Sequence, residues 1–179
     1  MKSQIILCSG GARSGKSEFA ERLALATEGR KAYVATGQAF DDEMVDRIKK
    51  HQERRGNIWT NFEIPLYLAE EWQHISSVAD VILIDCLTMF TTNHMMAHGS
   101  IQGQQDANRL EDTVLSELEA LLNLIKVSDD KIVIFVTNEI GLGIVPDNKL
   151  ARYFRDIAGR VNLTVATEAD KLYLTSSGC

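Results

Sequence analysis

Cysteine is scarce in this chain, at 3 of 179 residues. That odd number, without metal-ligand spacing, excludes a disulfide framework and points to reduced thiols. Cys8 and Cys86 lie in or beside apolar runs and read as buried packing residues, while Cys179 is terminal. No apolar run approaches the ~20 residues that a membrane span needs. Residues 1–9 lack the basic start and long apolar core of a secretion signal, so a cytoplasmic protein with no membrane span is expected. Excess positive charge is also missing. The formal net charge of -6 argues against a general nucleic-acid binder, though not against a local basic pocket. There are no repeats and no linker, and 179 residues are too few for two ordinary domains, so residues 1–179 are expected to form one domain.

What is present is an ordinary globular mixture, 45% hydrophobic and 25% charged, patterned as strands alternating with helices. Strands are expected at Ile5–Cys8, Lys31–Thr36, Ile58–Glu63, Val81–Asp85, Lys131–Val136 and Lys171–Thr175. The run Val81-Ile82-Leu83-Ile84-Asp85 is the pattern of a strand buried on both faces of a parallel sheet. Helical patterns follow Lys16, cover about Asp41–Arg55, run from Pro65 to about Ser77, occupy 86–98, and extend from about Asn148 to Ala169. Between these, Leu110, Val114, Leu118, Leu121, Leu122 and Ile125 mark one face of a long amphipathic helix. Alternation of this kind predicts an α/β fold, P-loop NTPase-like, with a mainly parallel twisted sheet and helices on both faces. Ligands of such folds gather at the C-terminal strand ends. That edge should bring together the turn after the first strand, Thr36-Gly37, Asp85 and Thr137-Asn138-Glu139.

The turn after the first strand carries the clearest chemistry. Gly10-Gly11-Ala12-Arg13-Ser14-Gly15-Lys16-Ser17 fits the P-loop pattern without a mismatch, between a strand and a helix as that motif requires. Glycines let the backbone close around a phosphate, and successive N–H groups then form an anion nest at the positive end of the helix. Lys16 is placed to reach the β- and γ-phosphates, and the Ser17 hydroxyl to sit on Mg²⁺. Asp85, closing an apolar run, is the natural Walker-B carboxylate and second metal residue. The plainer alternative for Asp85 is an ordinary polar strand end.

His51 has Arg47, Arg54 and Arg55 at helical spacing, with Lys50 adjacent. Surrounding cations favour its neutral form, leaving a ring nitrogen free to attack phosphorus. The competing reading is a solvated basic helix face. Glu139 either touches substrate or supports its loop. Arg152, Arg155, Asp156 and Asn162 lie on one expected helix and read as a salt-bridged exposed face.

Beyond these readings, the P-loop, Ala35-Thr36-Gly37, Asp41-Asp42-Glu43-Met44, Arg47-Ile48 and His51 resemble one family, the bifunctional adenosylcobinamide kinase / adenosylcobinamide-phosphate guanylyltransferases. The resemblance continues through Asp85-Cys86-Leu87-Thr88 and Asn93. It is densest in Val136-Thr137-Asn138-Glu139-Ile140-Gly141-Leu142-Gly143-Ile144-Val145-Pro146, then in Leu150, Arg152, Phe154-Arg155-Asp156 and Gly159. It implies phosphorylation of adenosylcobinamide, then GMP transfer from GTP to the phosphate through a guanylylated His51, giving adenosylcobinamide-GDP in cobalamin biosynthesis. Lys16 and His51 would be catalytic. Gly10 to Ser17, Ala35, Thr36, Gly37, Gln52, Glu53, Arg54, Arg55, Glu63 and Asp85 would bind nucleotide. The implied ligands are GTP, ATP, Mg²⁺ and a corrinoid, with no nucleic acid, and the implied assembly is a homotrimer. Near Arg152, Arg155, Asp156 and Asn162 the resemblance implies subunit or corrinoid contacts. Asn61, Phe90 and Leu163 depart from the family pattern; the first bears on the setting of Glu63. A kinase of another small metabolite, without guanylyl transfer, is the rival. A Ras-like switch is disfavoured because Asn-Lys-x-Asp is absent.

Overall fold

The structure is a computed structural model describing residues 2–38 and 56–178. The expected helix over Asp41–Arg55 lies outside the described residues. In chain order the described elements are β1 (Gln4–Gly10), α1 (Lys16–Ala26), β2 (Lys31–Ala35), a 3₁₀ turn (Gly56–Ile58) and β3 (Trp59–Glu63). There follow α2 (Leu68–Val78), β4 (Val81–Asp85), α3 (Leu87–His98), α4 (Gln104–Val127), β5 (Ile132–Asn138), α5 (Lys149–Glu168) and β6 (Lys171–Thr175). Among the described residues, six strands form one sheet in the order β3-β2-β4-β5-β1-β6. Every neighbouring pair is parallel. The expected α/β class holds.

Alternation along each strand builds two cores. Ile5, Leu7, Val34, Ile82, Ile84, Val133 and Phe135 face α2, α3, α4 and α5, where Trp72, Phe90, Leu118 and Val161 meet them. Ile6, Cys8, Tyr33, Leu83, Ile134 and Val136 face the opposite way, toward Ala20 and Ala24 of α1. Continuous apolar runs are what two covered faces demand. The amphipathic stripe read from the sequence of α4 is buried along its whole length, from Leu110 to Ile125. Burial pushes the Cys8 thiol up to about 12, as expected of a packing residue rather than a reactive one.

Strand ends differ from expectation by one or two residues, as in β1, which runs over Gln4–Gly10, and two of the differing boundaries have a clear cause. Pro65 does not open α2, which begins at Leu68. Tyr67 stands in left-handed backbone (φ 55, ψ 45) and a right-handed helix cannot run through it. Strand β5 also extends past Val136 to Asn138, because Thr137 and Asn138 pair with Ser9 and Gly10. The polar residues read as a turn are the last rung of the ladder.

Phe135 is fully buried at the centre of the sheet. Phe135→Ala should therefore lower the unfolding free energy by about 3–5 kcal/mol, read from urea denaturation midpoints at constant m.

Candidate functional site

Parallel pairing aligns the strand ends. Cys8, Val136, Asp85, Ala35 and Glu63 form one lateral row across β1, β5, β4, β2 and β3. The P-loop begins two residues beyond that row, at Gly10. Arg13 and Gly15 take left-handed backbone (φ 57 and φ 90), and Gly15 is the residue from which α1 starts. A side chain at Gly10 would meet the hydroxyls of Ser14 and Thr175 at 2.5 Å, so close approach, not dihedral freedom, dictates glycine there. The first N–H groups of α1 have no intrahelical partners and carry the positive end of its dipole. Lys16 is buried, and its Nζ donates to the Gly11 carbonyl at 3.2 Å, which holds the ammonium inside the loop. Ser17 sits half-buried in the first turn of α1.

One strand, β5, separates Asp85 from β1, so β4 and β1 lie about 10 Å apart at ordinary strand spacing. The Tyr33 hydroxyl donates to Asp85 Oδ2 at 3.0 Å, fixing the carboxylate at the row's centre. Beside it, burial pushes the Cys86 thiol up to about 11, and the Asp85 carboxylate adds to the rise. Thr36 is fully buried: its hydroxyl accepts from the Cys86 N–H at 2.8 Å and donates to the Cys86 carbonyl at 2.7 Å. Asn93 Nδ2 then donates to the Thr36 carbonyl (2.7 Å) and the Pro65 carbonyl (2.9 Å). One buried amide on α3 thereby ties the loops after β2 and β3 to the β4 end.

The end of β5 lies between the P-loop strand and Asp85. Asn138 donates its N–H to Thr88 Oγ1 (2.9 Å), and its carbonyl accepts from Asn162 Nδ2 (3.2 Å). Thr137 Oγ1 donates to Asn162 Oδ1 at 2.6 Å. Glu139 donates its N–H to the Gly10 carbonyl (3.0 Å), and its Oε1 accepts from the Gly141 N–H (2.5 Å). Of the two readings of Glu139, loop support is the one these contacts show. Arg152 and Asn162 are likewise not members of an ion-paired face. Arg152 Nη1 donates to the carbonyls of Pro146 and Asp147, and Asn162 serves the end of β5. Arg155 and Asp156 do approach each other, at 3.8 Å.

Sequence reasoning missed the C-terminal segment. Thr175 is buried, with its Oγ1 2.9 Å from Ser14 Oγ and donating to the Ser9 carbonyl at 3.2 Å. Gly178 donates its N–H to the Ser14 carbonyl at 2.8 Å, and a side chain at Gly15 would lie 3.1 Å from Gly178 Cα. The last described residues thus brace the outer wall of the phosphate cradle. Tyr33 and Asn93 were also assigned no part. For Asn93 the available signal was an amide in a Met-rich helix expected to pack on the sheet, which demands partners when buried.

The structure brings Gly10 to Ser17, Ala35, Thr36, Gly37, Glu63 and Asp85 to one edge of the sheet. His51, Gln52, Glu53, Arg54 and Arg55 lie outside the described residues. Among the described residues no group of three or more His, Cys, Asp or Glu could hold a metal ion. No described helix is long and apolar enough to cross a membrane.

Comparison with known proteins covers nearly the whole chain. The family model for cobinamide kinase / cobinamide phosphate guanyltransferase matches residues 6–179. The chain is 38% identical over 183 residues to a bifunctional adenosylcobalamin biosynthesis protein of Escherichia coli K12, covering 97% of this chain and 96% of that protein. Identity to its counterpart in Salmonella typhimurium LT2 is 40%, with the same coverage. A bifunctional adenosylcobalamin biosynthesis protein of Pseudomonas aeruginosa is 38% identical over 172 residues, covering 96% of this chain and 92% of that protein.

Thr175→Val keeps the side-chain shape but removes both hydroxyl contacts. It should weaken nucleoside triphosphate binding about fivefold to tenfold by calorimetry, the equivalent of one buried hydrogen bond, with the fold retained in circular dichroism. Raised thiol pKa values also predict that iodoacetamide at pH 8 leaves Cys8 and Cys86 unmodified in the native protein. Peptide mapping should show both alkylated after unfolding.

Proposed function

Because this chain belongs to the cobinamide kinase / cobinamide phosphate guanyltransferase family, we propose that both of its activities draw on the one phosphate cradle at Gly10–Ser17. The observation that carries this reading is the cradle itself: a braced P-loop with the Lys16 ammonium held inside it, at the edge where Asp85 ends β4.

In the kinase half-reaction the loop N–H groups and Lys16 hold the β- and γ-phosphates of ATP or GTP. The primary role of these residues is to stabilise charge as the γ-phosphoryl passes to the aminopropanol hydroxyl of adenosylcobinamide. Ser17 and Asp85 are hard oxygen donors, and with phosphate oxygens and water they make a set that suits Mg²⁺. When bound, that ion would neutralise developing charge on the phosphates. Tyr33 keeps the Asp85 carboxylate oriented from behind.

In the transfer half-reaction His51 is the nucleophile. Its neutral ring nitrogen attacks the α-phosphorus of GTP, a P–N bond forms, and the bond to the departing pyrophosphate breaks. An oxygen of adenosylcobinamide phosphate then attacks the same phosphorus. The P–N bond breaks, a phosphoanhydride forms, and the imidazole returns. Gln52 to Arg55, Ala35 to Gly37 and Glu63 complete the nucleotide contacts in this reading. The assembly is a trimer working in the cytoplasm.

Lys16→Ala should cut phosphorylation of cobinamide about a hundredfold or more. His51→Ala should abolish GMP transfer and leave phosphorylation measurable. Incubation with α-labelled GTP should leave acid-labile, base-stable label on the wild-type chain and none on His51→Ala. Equal loss of both activities in the histidine variant would make that residue structural.

A further inference from the structure

The loop after β5 presents apolar side chains to solvent where a soluble protein would ordinarily hide them. Within four residues, Leu142 is 86% exposed, Ile144 97% and Val145 57%. Other exposed aliphatics of the described chain stand singly or in pairs, such as Leu172 and Leu174 on β6. This cluster is different because polar ties hold it out. Glu139 Oε1 accepts the Gly141 N–H on the strand side, and Arg152 Nη1 binds the Pro146 and Asp147 carbonyls on the helix side. Between these anchors a side chain placed at Gly143 would meet no atom of the described residues within 4 Å. The loop could bury its apolar residues only by breaking those ties.

Its position narrows what it can serve. The loop begins at Glu139, whose N–H is bonded to the first P-loop glycine, so it leaves the sheet edge next to the phosphate cradle. From the C-terminal edge α1 runs back along one face of the sheet and α5 along the other. The cradle at the start of α1 and the loop before α5 therefore flank the site where phosphate is transferred.

We propose that Leu142, Ile144 and Val145 form the seat for the macrocycle of the corrinoid substrate. This rests on the kinase and guanyltransferase reading above. Only the end of one side arm of a corrinoid reacts in that chemistry. The rest of the molecule is a broad ring edged with methyl groups and amides, and it must lie outside the cradle on the same edge while the side arm reaches in. An apolar, backbone-anchored tip beside the cradle meets both demands. It removes methyl-bearing surface from water. Being held in place beforehand, it orders little on binding.

The test uses the full-length chain and the double variant Leu142→Ser/Ile144→Ser. In the kinase assay the KM for adenosylcobinamide should rise about tenfold or more, with kcat and the KM for nucleotide within about twofold of wild type. Leu142→Met/Ile144→Leu should retain wild-type values. Equilibrium titration, read from the corrinoid's own visible absorbance, should show the same loss without any turnover. Light scattering should give an unchanged mass. An unchanged corrinoid affinity overturns the proposal. So does a change in mass with nucleotide affinity lost, which would assign the patch to a second copy of the chain. A wild-type protein that binds the corrinoid but never phosphorylates it would overturn the functional reading alone, and the titration would still decide the seat. A wild-type protein that binds no corrinoid overturns both.

Discussion

Register in a sheet covered on both faces is the constraint from which the site follows. Strands β1, β5, β4 and β2 are apolar along almost their whole length because helices lie on both sides of them. Little room is left for polar side chains except at the strand ends, where the chain turns away. Parallel direction then puts all the C-terminal ends on one edge, in a row running from Cys8 to Glu63. A slip of one residue in β4 would invert its side chains between the two cores. Asp85 is therefore held in place by the packing of Leu83 and Ile84 as much as by anything it touches.

Neutral hydrogen bonds secure that edge. Thr36, Thr88, Thr91, Asn93, Thr137 and Thr175 are buried close behind it, and each is a hydroxyl or amide rather than an ion. The choice is intelligible energetically. A buried hydroxyl with partners contributes about 1 kcal/mol, whereas an ion in the same place would bear a desolvation cost of several kcal/mol. Neutral groups also leave the electrostatics of the pocket to Lys16 and Asp85. At the opposite end of the sheet the solution is different. Asp80 joins Arg30 and Lys131 across the starts of β2, β4 and β5, and the Arg30 guanidinium holds its carboxyl well below the usual carboxylate range. That cluster is largely exposed, so its contribution is modest and screened by salt. One end of the sheet fastens the strands, and the other is reserved for ligand.

Local signals were legible and remote ones were not. The P-loop, the run ending in Asp85 and the stripe of α4 are each written within about twenty consecutive residues, and each stands where its pattern placed it. The brace of Thr175 and Gly178 against Ser14 spans more than 160 positions and has no periodic signature. Asn93 was visible as an unusual residue, but its two carbonyl partners come from loops after different strands. Pro65 misled for a different reason. Proline is at home in the first turn of a helix and equally in an extended approach to one, and only the left-handed Tyr67 decides between them. The role that the family resemblance implies for His51 is one that no spacing rule supplies, and that residue lies outside the described residues.

A chain of net charge -6 that binds polyanions needs its attraction to be local. At physiological salt, charges on the far surface are screened beyond about 8 Å and have little influence inside the cradle. What acts there is the positive end of α1, the N–H groups of the turn and one buried ammonium. Backbone dipoles work only while the turn keeps its shape, and this turn includes two residues in left-handed backbone, Arg13 and Gly15. The Ser14 N–H closes it from within on the Gly11 carbonyl at 3.2 Å, and further support comes from outside: the Thr175 hydroxyl and the Gly178 N–H on one side, and the Gly10–Glu139 bond on the other. The shape of the P-loop in this protein is thus a property of three segments that meet at the sheet edge, of which the recognisable motif is only the first.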